Sequence, residues 1–200
     1  MTNSKTVTLF SVEDNKVLSF RLRAFLKQIE DFQLLGEATS GYEAIEQILQ
    51  LQPDVVLVDI GLPDLDGINV TRQIKKGLPD TRVLMLTASD DAKDIFDSLD
   101  AGADGYILKG NYSSNLEMAI RKVQIGSVWL DPAIAKMVAR RTRKSVEIAP
   151  VQPNSFASEA IDRLDHVAQS NCKDGVCLVE PEFLQKLRNL NRTEATAADG

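Results

Sequence analysis

Three carboxylates, a hydroxyl and an ammonium stand at the ends of short apolar runs in the first 110 residues. Glu13 and Asp14 follow Val7 to Val12, Asp59 follows Val55 to Val58, Thr87 closes Arg82 to Thr87, and Lys109 follows Gly105 to Leu108. Taken singly, each has a simpler account: an acidic residue at a strand end commonly caps the next helix, and Thr87 could cap its own loop. Gathered at one edge, the carboxylates would repel one another, and burying them without counter-charge is expensive. Such a set calls for a cation. A few hard oxygen ligands, with room left for water and phosphate oxygens, suit Mg2+ better than a dedicated Ca2+ cage. Lys109 adds a point charge able to hold a phosphoryl oxygen.

A sheet whose strand ends share one edge would bring these groups together. From residue 6 to about 125, β-rich runs alternate with helical patterns, the signature of βα units feeding a parallel sheet. Five strands are predicted, at Val7 to Val12, Leu34 to Ala38, Val55 to Val58, Arg82 to Thr87 and Gly105 to Leu108. Runs such as Val55-Val56-Leu57-Val58 suit strands covered by helices on both faces. The first two helices follow Asp14-Asn15 and Ser40-Gly41. The others are expected over Gly67 to about Lys76, Asp91 to Ala101, and about Ser113 to Gln124, the last ended by Gly126. Their apolar stripes, Val17, Phe20, Leu22, Ala24, Phe25 and Ile29 in the first and Tyr42, Ala44, Ile45, Ile48 and Leu49 in the second, are read as core. In open α/β sheets functional groups collect at the carboxyl ends of the strands, where the five polar residues fall.

The motifs around them resemble the receiver domain of bacterial two-component response regulators. The matching pieces are Val12-Glu13-Asp14-Asn15, Val58-Asp59-Ile60-Gly61-Leu62-Pro63-Asp64-Leu65-Asp66-Gly67, Leu86-Thr87-Ala88-Ser89 and Gly102-Ala103-Asp104-Gly105-Tyr106-Ile107-Leu108-Lys109. Their order and spacing are specific. The resemblance implies a flavodoxin- or CheY-like five-stranded parallel doubly wound sheet of order 2-1-3-4-5. It also implies site roles. Asp59 is the phosphoacceptor for a phosphohistidine, from a sensor histidine kinase or phosphotransfer protein. Glu13, Asp14, Asp59 and the Gly61 carbonyl hold Mg2+, Thr87 and Lys109 contact phosphoryl oxygens, and Tyr106 is an aromatic switch that turns inward as Thr87 moves. Ser89 and Ala88 flank the site. Such a site works by positioning and charge neutralisation and makes the protein a signalling switch rather than a dedicated enzyme. One departure is Gly110, where many receivers carry proline; without it a cis bond costs about 2.5–4 kcal/mol.

Beyond Gly126, the segment Gly126-Ser127-Val128-Trp129-Leu130-Asp131-Pro132-Ala133-Ile134-Ala135 resembles the linker of the NarL/FixJ branch, which implies a DNA-binding transcription regulator. Asp131 as N-cap and Pro132 at the first helical position predict a short helix. The expected organisation is a receiver over 1–126, a linker helix over 127–145, a flexible linker over 146–158, a helical extension over 159–191 and a disordered tail over 192–200. No helix-turn-helix pattern is legible after Arg143. From there to Gly200 seven basic residues meet nine acidic ones, a net charge of −2, whereas DNA readers concentrate positive charge. That balance favours an output through protein contact or dimerisation on the fourth and fifth helices over DNA, with the basic cluster Arg140 to Lys144 read as a solvated helix end.

Composition narrows the rest. With 44% hydrophobic and 26% charged residues and a net charge of −6, the chain is an ordinary folded one, and nothing global steers it to nucleic acid or a membrane. No apolar run reaches the 18 residues of a spanning helix, so a cytoplasmic location is expected. Cys172, Cys177 and His166 lack a fourth ligand for a zinc pattern and read as small side chains near a turn. A hydrolase of unrelated α/β type using Asp59 is the third alternative. It would turn substrate over, where a receiver keeps the phosphoryl group.

Overall fold

The computed structural model describes residues 6–110, 112–132, 134–138 and 177–179. The chain divides into two compact units at Gly126/Ser127. In the first, strands and helices alternate as β1 (Val7–Val12), α1 (Lys16–Leu26), β2 (Phe32–Ala38), α2 (Gly41–Leu51), β3 (Val55–Val58), α3 (Gly67–Gly77), β4 (Arg82–Thr87), α4 (Ala92–Asp100), β5 (Gly105–Leu108) and α5 (Tyr112–Gln124). The five strands are parallel in the order β2-β1-β3-β4-β5. This is the doubly wound sheet expected from the sequence, with β1 and β3 side by side at the point where the strand order reverses.

The central strands are apolar throughout because both faces are covered. Every residue of β3 is buried, as is every residue of β4 after Arg82. The helices meet the sheet through one stripe each. On α1 that stripe is Ser19, Leu22 and Leu26, and on α2 it is Gly41, Ala44 and Ile48. The core assignment of Val17, Phe20, Ala24, Tyr42 and Leu49 is therefore corrected: all five are exposed, Val17, Phe20 and Tyr42 to 64%, 66% and 65%. Val17, Phe20 and Ala24 share the 3–4 spacing of the buried set but lie two residues out of phase, about 200° round the helix at 3.6 residues per turn.

Helix starts follow local chemistry. Asn15, Ser40, Asp66 and Asp91 cap α1 to α4 through side-chain oxygens that accept first-turn amides, satisfying donors the helix leaves open. Strand β2 begins two residues earlier than predicted because Phe32 pairs with Val7 and Gln33 with Thr8.

In the second unit, β6 (Val128–Leu130) pairs antiparallel with β7 (Cys177–Val179), a pairing of segments far apart in sequence that no local pattern announces. Residues 132 and 134–138 are helical, and the Ala135 amide donates to the Asp131 carbonyl. The basic cluster Arg140 to Lys144, the linker over 146–158, the helical extension over 159–191 apart from β7, the tail over 192–200, Cys172 and His166 lie outside the described residues. Among the described residues, no helix is long and apolar enough to cross a membrane.

Candidate functional site

The sheet ladder carries the polar residues to one edge. Just past β1 the Glu13 amide donates to the Ala38 carbonyl, just past β3 the Asp59 amide donates to the Val12 carbonyl, and just past β5 the Lys109 amide donates to the Thr87 carbonyl. Glu13 and Asp59 therefore stand level with one another one step beyond β1 and β3, and Lys109 stands one step beyond β5 at the same edge. Carboxylate oxygens of Glu13, Asp14 and Asp59 all lie within 4.8 Å of one another. Glu13 and Asp59 are buried, at 2% and 6% exposure, and Asp14 faces solvent.

Lys109 is the counter-charge. Its Nζ is 2.7 Å from Asp59 Oδ2 and 2.8 Å from Glu13 Oε2, and it donates a hydrogen bond to Glu13 Oε1 at 3.1 Å. Burial pushes the Glu13 carboxyl above its ordinary value, and the bond from Lys109 only partly opposes this. Burial would lower the Lys109 ammonium, but bonds to Asp59 and Glu13 outweigh it and hold the group above its usual range. One ammonium thus faces three carboxylates, and the pocket keeps an excess of negative charge that a cation would relieve.

The loop from Asp59 to Gly67 closes tightly around the site. The Ile60 carbonyl accepts the amides of both Leu62 and Gly67. A Cβ at Gly67 would stand 1.9 Å from the Asp59 carbonyl oxygen, so only glycine fits there. Gly61 lies beside the Asp59 side chain, its Cβ position 3.7 Å from Asp59 Oδ2. Asp64 ties the loop to α2 by accepting the Gly41 and Tyr42 amides at 2.7 and 3.1 Å. Those amides, Gly41's foremost, lower its carboxyl from 3.8 to about 2.

Thr87 and Tyr106 meet at a residue that sequence patterns left in the background. The Ser89 amide donates to Thr87 Oγ1 at 3.1 Å, and the Tyr106 hydroxyl donates to the Ser89 carbonyl at 2.9 Å. Tyr106 is fully buried, so the ring already points inward. Its phenol is pushed above its ordinary value, first by burial and then by the charges of Asp94, Asp90 and Asp59, against the bond to Ser89. Ser89 engages both through backbone atoms, and no residue-type motif reports those. The Asn15 amide donates to Glu13 Oε1, a contact that neither its helix-start position nor its place in the Val12-Glu13-Asp14-Asn15 motif announces. The Lys109–Gly110 peptide is trans.

Comparisons with known proteins agree with this geometry. The response regulator receiver domain family matches residues 9–121. The response regulator protein VraR of Staphylococcus aureus is 30% identical over 201 residues, covering 95% of this chain and 94% of its own. A LuxR-family two-component response regulator from Aurantimonas sp. SI85-9A1 superposes with a TM-score of 0.65 at 26% identity, over 68% of this chain and 98% of that one. The signal receiver domain of NarL from Mycobacterium tuberculosis gives 0.58 at 28%, over 61% and 98%. An acidic pocket with its lysine at the carboxyl edge of a 2-1-3-4-5 sheet, matched in sequence over more than half its length, belongs to a chain of the two-component response regulator family.

Proposed function

We propose that this response regulator accepts a phosphoryl group on Asp59 and uses the resulting acyl phosphate to switch a protein-contact surface. The observation that carries this reading is the buried Asp59 carboxylate, paired with Lys109 at 2.7 Å and grouped with Glu13 and Asp14. An ionised carboxylate is already a nucleophile and needs no general base. A carboxylate oxygen of Asp59 forms the new P–O bond while the P–N bond of a donor phosphohistidine breaks. The electron pair leaves with the imidazole, which ends protonated. Lys109 and Thr87 hold phosphoryl oxygens in a loose transition state where charge is spread over them. The donor set fits Mg2+: Glu13, Asp14 and Asp59, with the Gly61 carbonyl, are hard oxygens few enough to leave room for water and phosphate. A bound Mg2+ would supply further charge neutralisation.

The added phosphate brings roughly −1.5 to −2 of charge at neutral pH. Thr87 and Tyr106 are the side chains placed to respond, and α4 and α5 carry the change to a surface suited to dimerisation or an output protein. The site and the switch fall in a receiver over 1–126, with the remainder as linker and output. Incubation of the chain with Mg2+ and a small acyl phosphate should add one phosphoryl group by intact mass, and Asp59→Asn should add none. Equal labelling of the variant would overturn the assignment.

The similarity to VraR continues past Gly126, since it spans 95% of the chain. This favours, as a second reading, a DNA-binding output shared with such regulators. A salt-dependent mobility shift separates the two. Failure to bind promoter DNA at low salt, phosphorylated or not, would remove the DNA reading.

A further inference from the structure

Ser89 opens the loop into α4, and its amide, carbonyl and hydroxyl are all engaged. Beyond the bonds to Thr87 and Tyr106, its hydroxyl donates to Asp94 Oδ2 at 2.7 Å and accepts the Asp91 amide at 3.3 Å. Asp94 lies in the first turn of α4, and its own carbonyl accepts the Ser98 hydroxyl at 2.7 Å. Neither Ser89 nor Asp94 belongs to the carboxylate pocket.

Loop capping explains the Asp91 contact. It does not explain why the same residue serves both halves of the switch. A threonine hydroxyl has one proton to give. With Thr87 Oγ1 accepting the Ser89 amide, that proton stays available as a donor, as holding a phosphoryl oxygen requires. The Tyr106 phenol is buried and would lose its partner if the Ser89 carbonyl rotated away, which is costly for a buried donor. Ser89 is kept from rotating by the bond its hydroxyl donates to the Asp94 carboxylate at 2.7 Å, a short bond to a carboxylate being among the stronger kinds.

We propose that Asp94 is a positioning residue for the phosphoryl switch: by fixing Ser89 it keeps Thr87 as a donor and Tyr106 inward, and it ties α4 directly to the site. The proposal rests on Asp59 being the phosphoacceptor.

The test uses the full chain with Mg2+ and a small acyl phosphate. It reads the initial labelling rate by intact mass and, relative to the unfolded-chain rate for each sequence, the hydrogen exchange of the backbone amide at position 89 by NMR. Asp94→Ala and Ser89→Ala should each slow labelling roughly fivefold and speed that exchange, and the double variant should be no slower than either, as expected of residues acting as one unit. Asp94→Asn keeps an oxygen that can accept the Ser89 hydroxyl and should recover labelling to within about twofold of the wild type. A merely structural role would lower the melting temperature while leaving labelling rates unchanged. Labelling of Asp94→Ala at the wild-type rate, or single effects that multiply in the double variant, would overturn the proposal. If Asp94→Ala does not fold, Ser89→Ala decides alone in the same way. Failure of the wild type to be labelled, or labelling of Asp59→Asn, removes the Asp59 reading and this one together. A labelled wild type and an inert Asp59→Asn beside an unaffected Asp94→Ala remove only the role of Asp94.

Discussion

Lys109 shows how much a single side chain contributes to the pocket. Its ammonium touches both Glu13 and Asp59, and Glu13 is almost fully buried. Lys109→Met should therefore destabilise the metal-free chain by about 3 kcal/mol near neutral pH, since removing one partner of a buried pair leaves a charge uncompensated. The loss should shrink toward pH 5. The Glu13 carboxyl is already raised, so it takes up a proton as pH falls and the uncompensated charge disappears. Urea unfolding of wild type and variant at the two pH values checks this, and a loss that grew on acidification would contradict it. The five chemical residues were legible because each is a polar group at or just past the end of an apolar run. Ser89 was legible only as a flanking residue, because it acts on Thr87 and Tyr106 through backbone atoms. The exposure of Val17 and Phe20 was misread because two stripes on α1 share one spacing, and only the sheet decides which faces inward.

At the scale of elements, the β3–α3 loop sets the position of Asp59. Gly67→Ala would force a methyl group into the Asp59 carbonyl, and backbone has little room to give. A cost of about 3 kcal/mol is expected, the upper part of the overpacking range, with slower labelling because Asp59 itself must shift. Thermal unfolding and phosphodonor labelling would show both. Asp64 predicts a pH signature. Its folded carboxyl is depressed to about 2 from 3.8, so its contribution is present above its unfolded value and lost as pH falls through the folded one. The stability gap between wild type and Asp64→Asn should be constant above about pH 5 and close steadily below pH 4, measured by urea unfolding. A gap that widened with acid would refute the capping role. Four of the five parallel strands, all but β2, have the bounds the sequence suggests, because buried parallel strands are written as continuous apolar runs. Strand β2 was read short because Gln33 interrupts its run. The β6–β7 pair was invisible because three-residue strands with partners far apart in sequence leave no local signal.

For the whole molecule, the division at Gly126 places every proposed site residue in the first unit. A chain ended at Gly126 should fold alone and be labelled on Asp59 at an unchanged rate. Loss of labelling would show that the second unit contributes to the chemistry. Mg2+ should raise the melting temperature of the full chain, since a ligand that binds only the folded state stabilises it by mass action. Asp14→Asn should blunt that rise. The domain organisation after Gly126 was the least legible part, because a net charge of −2 from Arg143 onward and an unfamiliar pattern argue against DNA while the linker argues for it. The central claim concerns one carboxylate, and chemical trapping addresses it most directly. After labelling with Mg2+ and a small acyl phosphate, borohydride reduction followed by peptide sequencing should place the modified residue at Asp59 and nowhere else, with none formed when a chelator is present. A modification mapped to another residue, or one that forms equally well without divalent cation, would contradict the account.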